Sequence, residues 1–398
     1  MSDGFRIGVN YWPSSSAMRW WRRFDADEVE RDFARIAAAG GDLVRFFLLW
    51  EDFQPAPSVI SDATLQRLVT VADIARRRSL QIVPTLFTGH MSGANFIPEW
   101  ALGGPSGRRA RFRVIARDRT AQRDIRNWYA DDTVLEAQAT LARECARVLS
   151  GHGALWGWDL GNENSNCSVP PTRDDGLRWL DRMAGAIRAV DASCRITLGL
   201  HMEDLEEDRR IGPADAARVC DVLCMHGYPL YASWCRGPMD PELIAFLADV
   251  TRWLGGKEVL FAEFGAPTRD GDPQAEREAG GILLSEREAA DYIPRALSRV
   301  HAAGTVGALI WCHADYAPPI WSEPPLDVAP HERHFGLWRW DGTPKPAVDT
   351  LAEWRGRARA APPPPERLDA DRARFYDAPH ENLVRMYRAH GAARPALS

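Results

Sequence analysis

Two glutamates stand out by position. Glu163 closes the apolar run LWGWDLGNENSN beside Asn162, and Glu263 closes EVLFAEFGAP. A carboxylate at the end of a buried strand loses its hydration, so it needs a partner or a task. Two such carboxylates are what glycoside hydrolysis requires. One protonates the leaving oxygen, and the other attacks the anomeric carbon or activates a water. Retention needs the carboxyls roughly 5–5.5 Å apart and inversion roughly 6.5–9.5 Å, a distance that a sequence does not carry. Ion pairing or metal ligation is the alternative use of either glutamate alone.

The elements that must hold this pair read as an alternation. Apolar runs FRIGVNYW, LVRFFLLW, LQIVPTLF, LWGWDLGN, RITLGL, DVLCMHGY, VLFAEFG and VGALIW are separated by amphipathic stretches such as VERDFARIAAAG and TVLEAQATLARECARVLSGHG. Several of these stretches begin on Asp, Ser or Thr and stop near Gly, as capped helices do. Eight near-continuously apolar strands alternating with helices predict an α/β chain with a single (β/α)₈ TIM barrel. No G-x-G-x-x-G follows the first strand, which excludes the dinucleotide-binding pattern. Strands four and seven face each other across such a barrel, so Glu163 and Glu263 can flank one bound sugar. Long βα loops are expected from about Thr88 to Asp131, His201 to Pro213 and Cys312 to Phe335, all on the catalytic face. Residues 1–356 form the predicted catalytic barrel. Residues 357–398 form a Pro-rich spacer beginning at APPPPER and a C-terminal helix, ENLVRMYRAHGAA, expected to pack on or near the barrel and given no catalytic role.

Composition narrows the partners. The 398 residues carry a net charge of −6, with arginines interleaved among Asp and Glu. That balance excludes a basic face for nucleic acid. MSDGFRIGVNYWP lacks the basic and apolar regions of a signal peptide, and no apolar run reaches membrane-spanning length. Seven cysteines, an odd count without small-domain spacing, predict reduced thiols and a cytoplasmic protein. Cys220 and Cys224 lack further ligands at zinc spacing, so no metal is expected, and no cofactor motif occurs. The 16 tryptophans suit sugar rings, whose apolar faces stack on aromatic ones.

Taken together, these motifs resemble glycoside hydrolase family 5, over roughly Phe5 to Trp354. Arg45 in LVRFFLLW, His90 in LFTGH, the Asn162-Glu163 pair, His226 and Tyr228 in MHGYP, Glu263, Trp311 in ALIWC and the stretch FGLWRWDGTPKPA fall in the family's order. The resemblance implies a retaining double displacement with Glu163 as acid/base and Glu263 as nucleophile. Arg45 and Tyr228 would hold Glu263 ionised, and Asn162 would bind the sugar 2-hydroxyl. His90 and His226 would bond hydroxyls or orient the acid, and Trp311 would floor the sugar. GVNYWP, VRFFLLWEDFQP and PTLFTGHMSGANFIPEW resemble the mannoside-cleaving branch, in particular exo-acting β-mannosidases on short β-1,4-linked mannosides such as Man-β-1,4-GlcNAc. Trp12, Trp50, Glu51, Asn95, Trp100, Asn127, Trp128, Glu203 and Asp204 are the loop candidates for sugar contact. The alternatives are an endo-β-1,4-mannanase, a β-glucosidase or endoglucanase on the same machinery, and a non-catalytic carbohydrate-binding barrel.

Overall fold

The computed structural model describes residues 4–106, 111–271, 274, 282–364, 368 and 371–392. The apolar runs become eight strands: β1 Arg6–Tyr11, β2 Leu43–Leu49, β3 Gln81–Thr88, β4 Trp158–Asn162, β5 Ile196–Gly199, β6 Leu223–His226, β7 Val259–Phe264 and β8 Gly307–Ile310. Nearly every residue in them is buried, because one side faces the barrel lumen and the other faces helices. They pair in parallel, in the order β5-β4-β3-β2-β1-β8-β7-β6. Between β5 and β6 the sheet is drawn together by backbone bonds from Asp221 N to Ile196 O and from His226 N to Leu200 O, each 2.8 Å. The result is the expected TIM barrel.

Helices alternate with the strands: α1 Ala26–Ala38, α2 Asp62–Arg77, α3 Asp132–Leu149, α4 Arg173–Arg188, the short α5 Pro213–Ala216, α6 Pro241–Gly255, α7 Glu286–Ala302 and α8 Asp349–Trp354. Side chains of Asp25, Ser61, Asp131, Thr172, Asp240 and Ser285 cap the longer ones by accepting first-turn backbone N–H groups.

The register shifts within β4 between Asp159 and Asn162, and between β6 and β7 at Met225/His226. Such bulges turn side chains out of the regular alternation, here beside both glutamates. Close approach is needed at Gly199. A Cβ there would lie 2.6 Å from Gly161 O and 2.9 Å from an Arg45 guanidinium nitrogen.

The β3α3 loop carries short strands of its own. His90–Met91 pairs with Ala94–Phe96, which pairs with Arg113–Ala116, and Leu102–Pro105 pairs with Arg123–Ile125. At the other end of the chain, α9 Pro379–Ala392 lies against the barrel. Leu383, Met386 and Tyr387 are buried, and the Tyr387 ring meets those of Phe246 and Trp234 edge-on at 5.2 Å each. Residues 365–367 and 369–370 of the expected spacer, and the last residue of the expected C-terminal helix, lie outside the described residues.

Candidate active site

The β-strand ends deliver their side chains into one cavity of about 410 Å³, within the usual range of roughly 300–1,000 Å³ for small-molecule sites. Glu163 and Glu263 lie in it, and so do His90, Asn162, His226, Tyr228, Trp311 and Glu203. Glu163 follows β4 with φ 49° and ψ 46°, a left-handed conformation that is uncommon outside glycine. An oxygen of Glu163, one of Glu263 and a nitrogen of His226 all lie within 4.8 Å of one another.

Glu263 is held from below and from the side. Arg45 is fully buried, and its guanidinium serves four groups. It bonds the Glu263 carboxylate, Asp159 Oδ2 (2.9 Å), Asn10 Oδ1 (3.0 Å) and Asn162 Oδ1 (2.8 Å). The Tyr228 hydroxyl donates to Glu263 Oε2 at 2.9 Å. Burial raises the Glu263 carboxyl above its ordinary value. His226 and Arg45 oppose that rise, while the nearby Glu163 charge adds to it.

Glu163 has a different surround. His226 Nδ1 lies 3.1 Å from Oε1, and Asn166 Nδ2 donates to Oε2 at 3.0 Å. His90 Nε2 and His201 Nδ1 each lie 3.9 Å from Oε2. Burial pushes this carboxyl up, but the charge of His201, the hydrogen bond and charge of His226 and the charge of His90 outweigh it and hold the group below the usual range. His226 Nδ1 also reaches Glu263 Oε1 at 3.5 Å, so one imidazole spans both carboxylates. These three residues form the group that could hold a metal ion among the described residues. Arg45 already supplies the positive charge there, and the Tyr228 hydroxyl takes the other Glu263 oxygen. The donor set is therefore better matched to a sugar than to a second cation.

Four loops wall the cavity, and each is tied to the next. Arg111 of the β3α3 loop bonds Glu203 after β5. Trp234 Nε1, after β6, donates to Glu206 Oε1 at 2.7 Å. Tyr231 Oη lies 3.2 Å from Glu332 Oε1 and 3.0 Å from His331 Nε2 in the β8 loop. Asp327 of that loop pairs with Arg113 at 2.6 and 3.0 Å, back on the β3α3 loop. These contacts link the four loops in a ring.

Known proteins share this architecture. No protein-family profile matches the chain. The rice protein (Oryza sativa subsp. japonica) named mannan endo-1,4-beta-mannosidase 5 is 23% identical over 322 residues, 71% of this chain. The chain spans 62% of that relative's length. GH5_18 from Streptomyces cattleya, solved in complex with Manb1-4GlcNAc, superposes with a TM-score of 0.78 at 25% identity, covering 98% of this chain and 92% of that one. The exo-beta-1,4-mannosidase Op5Man5 from Opitutaceae bacterium strain TAV5 gives 0.70 at 28% identity, covering 88% of this chain and 59% of that one. The chain has a glycoside hydrolase family 5, mannosidase-like fold.

Within this family 5 fold, several expected sugar contacts lie elsewhere. Trp12 is fully buried and stacks on Phe47 at 5.0 Å, so it is core. Trp50 donates to Gln54 Oε1 and packs edge-on against Trp100 and Trp128. That cluster is the apolar interior under the β3α3 loop. Glu51 bonds Arg22 and the Arg117 N–H beside a separate surface cavity. Asn95 stands behind His90, its Oδ1 accepting from His90 Nδ1 (2.8 Å) while its Nδ2 donates to Asn166 O (2.9 Å). Asn127 ties Val169 O to the Tyr129 N–H. Asp204 is buried, bonded to Ser165 and to the His201 N–H. Asn162 does line the pocket, with its amide spanning Arg45 and His90 O.

Sequence reasoning passes over Asn10, Asp159, Asn166 and His201. Asn10 and Asp159 sit inside apolar strands, where a polar side chain without a partner is costly. That cost was the signal available. Asn10 holds Ala262 O (2.8 Å) next to Glu263, and Asp159 anchors Arg45 with help from Thr85.

Proposed function

We propose that this chain is a retaining, exo-acting β-mannosidase on short β-1,4-linked mannosides, Man-β-1,4-GlcNAc among them. The observation that carries the reading is a pocket whose walling loops are tied to one another, holding two carboxylates whose nearest oxygens lie within 4.8 Å. That spacing suits direct attack on an anomeric carbon. An inverting pair stands roughly 6.5–9.5 Å apart to seat a water. A closed pocket admits a chain end, whereas an endo-enzyme needs an open cleft. The mannoside preference draws on the rice relative and on the two solved structures, whose names carry mannosidase or a mannoside ligand.

In this reading Glu263 attacks and Glu163 first donates and then recovers the proton. Arg45 and Tyr228 bond the charged form of Glu263 directly. Glu163 is lowered by the charges of His201, His226 and His90 and by the His226 hydrogen bond, and the charge contributions vanish when the imidazoles are neutral. Trp311 floors the glycon, and His90 bonds a hydroxyl. The seven thiols, all unpaired, accord with a cytoplasmic setting.

The test is a product profile on β-1,4-mannobiose, mannohexaose and Man-β-1,4-GlcNAc, beside aryl β-mannoside and aryl β-glucoside. Release of mannose singly from the non-reducing end, with β-configured first product, is expected. Internal cleavage of mannohexaose would replace exo with endo action. Faster aryl β-glucoside turnover would replace the mannoside assignment.

A further inference from the structure

His201 stands just past β5, 6% exposed, on the wall of the pocket. Its Nε2 lies 2.9 Å from Ser165 Oγ. Ser165 has one hydroxyl proton, and that proton goes to Asp204 Oδ1 at 2.6 Å, the charged and closer acceptor. Arg209 Nη1 approaches the same Oγ at 3.2 Å and holds Asn166 Oδ1 at 3.0 Å. The other Asp204 oxygen accepts the His201 backbone N–H at 3.0 Å. Arg209 Nη1 also lies 3.4 Å from Nε2, but its shorter bonds go to Ser165 Oγ and Asn166 Oδ1; Ser165 Oγ then meets Nε2 as an acceptor, which assigns the imidazole proton to Nε2. Nδ1 keeps its lone pair and lies 3.9 Å from Glu163 Oε2, beyond hydrogen-bond range.

The pocket thus presents a proton donor and a fixed acceptor side by side: Glu163 when protonated, and His201 Nδ1. Glu163 gives its proton to the glycosidic oxygen. The acceptor beside it fits a hydroxyl on the carbon next to the one bearing that oxygen. We propose that His201 is the recognition residue for the leaving sugar, with Nδ1 accepting the 3-hydroxyl of a 4-linked aglycone. This rests on the assignment of Glu163 as acid/base. It gives the enzyme a preference for a 1,4-linked sugar over an aglycone that lacks the neighbouring hydroxyl. Ser165, Asp204 and Arg209 are positioning residues, acting through the imidazole and through Asn166.

The test is a cycle between enzyme and substrate. Wild type, His201→Phe and His201→Asn are assayed on the β-1,4 disaccharide that wild type cleaves fastest, on its counterpart with a 3-deoxy reducing sugar, and on an aryl glycoside of the same glycon. Wild type should lose about tenfold in kcat/KM on the deoxy substrate, the scale of one neutral hydrogen bond. His201→Phe should lose about as much on the parent disaccharide, nothing further on the deoxy one, and clearly less on the aryl glycoside than on the disaccharide. His201→Asn, which returns an oxygen acceptor, should recover part of the loss and serves if the Phe variant does not fold. An equal fall on aryl and disaccharide substrates, or an undiminished deoxy penalty in the variants, overturns the proposal. A wild type inert on every β-glycoside overturns the acid/base assignment as well.

Discussion

Arg45 meets Glu263, Asn162 and two residues inside the barrel, Asn10 and Asp159, with one planar group. A lysine has no fork to do this. The Arg45 charge faces the carboxylates of Asp159 and Glu263. Glu263→Ala should cost roughly four orders of magnitude or more in kcat, as removal of a covalent nucleophile does. Azide should then restore turnover and give a product of opposite anomeric configuration by NMR, and near-wild-type activity would refute the role. The pH profile follows from the same contacts. Glu263 must be ionised to attack, and burial raises its carboxyl. Activity is therefore present above its titration and lost as pH falls through it, with the acid limb of kcat/KM above the ordinary ~4.3. Tyr228→Phe removes a hydrogen bond to the charged form, so the limb should move up by about one pH unit. A limb unmoved, or moved down, would contradict that bond's place in the mechanism.

At the scale of elements, strands and capped helices announce themselves in the sequence, and the strand-end residues Arg45, Glu163, His226, Tyr228 and Glu263 converge as their positions require. The loops do not announce themselves. Trp12, Trp50 and Trp128 sit where sugar contacts were expected, yet each turns into apolar packing. A tryptophan's type fits either use, and only the direction of its Cβ separates them. The β3α3 loop needs a core because it folds as a small sheet of its own, and strands of two to four residues leave no readable period. The ring of loop contacts is likewise invisible in sequence, since its partners are far apart along the chain. It can be opened at one link. The Arg113–Asp327 pair is about a quarter exposed on each side, so Arg113→Ala should cost at most ~1 kcal/mol of stability. Its expected effect is on the product pattern, where internal fragments should appear from mannohexaose. An unchanged pattern would show that the ring does not enforce end-on binding.

For the whole molecule, the C-terminal segment is part of the same construction. The Tyr376 hydroxyl bonds Asp204 O at 3.0 Å, and Tyr387 packs on Trp234, the residue that ties the β6 loop to Glu206. A chain ending at Ala361 would uncover Phe246 and free both ties. Such a chain should melt at lower temperature and lose more activity on disaccharide than on aryl mannoside, because the ties support the leaving-group side. Loss of thermal stability with an unchanged substrate ratio would reduce the segment to a clasp.

End-on binding in such a pocket also dictates the order of traffic. In the proposed function the glycon would lie against Trp311 and the leaving sugar nearer the loops. The leaving sugar must depart before water can reach the covalent intermediate, and the freed monosaccharide leaves last by the same opening. Each encounter then removes one residue, and the shortened chain must dissociate and rebind for the next. The monosaccharide, as the last to leave, should compete with substrate for the free enzyme, while the leaving sugar should trap the glycosyl-enzyme and return the glycon to itself.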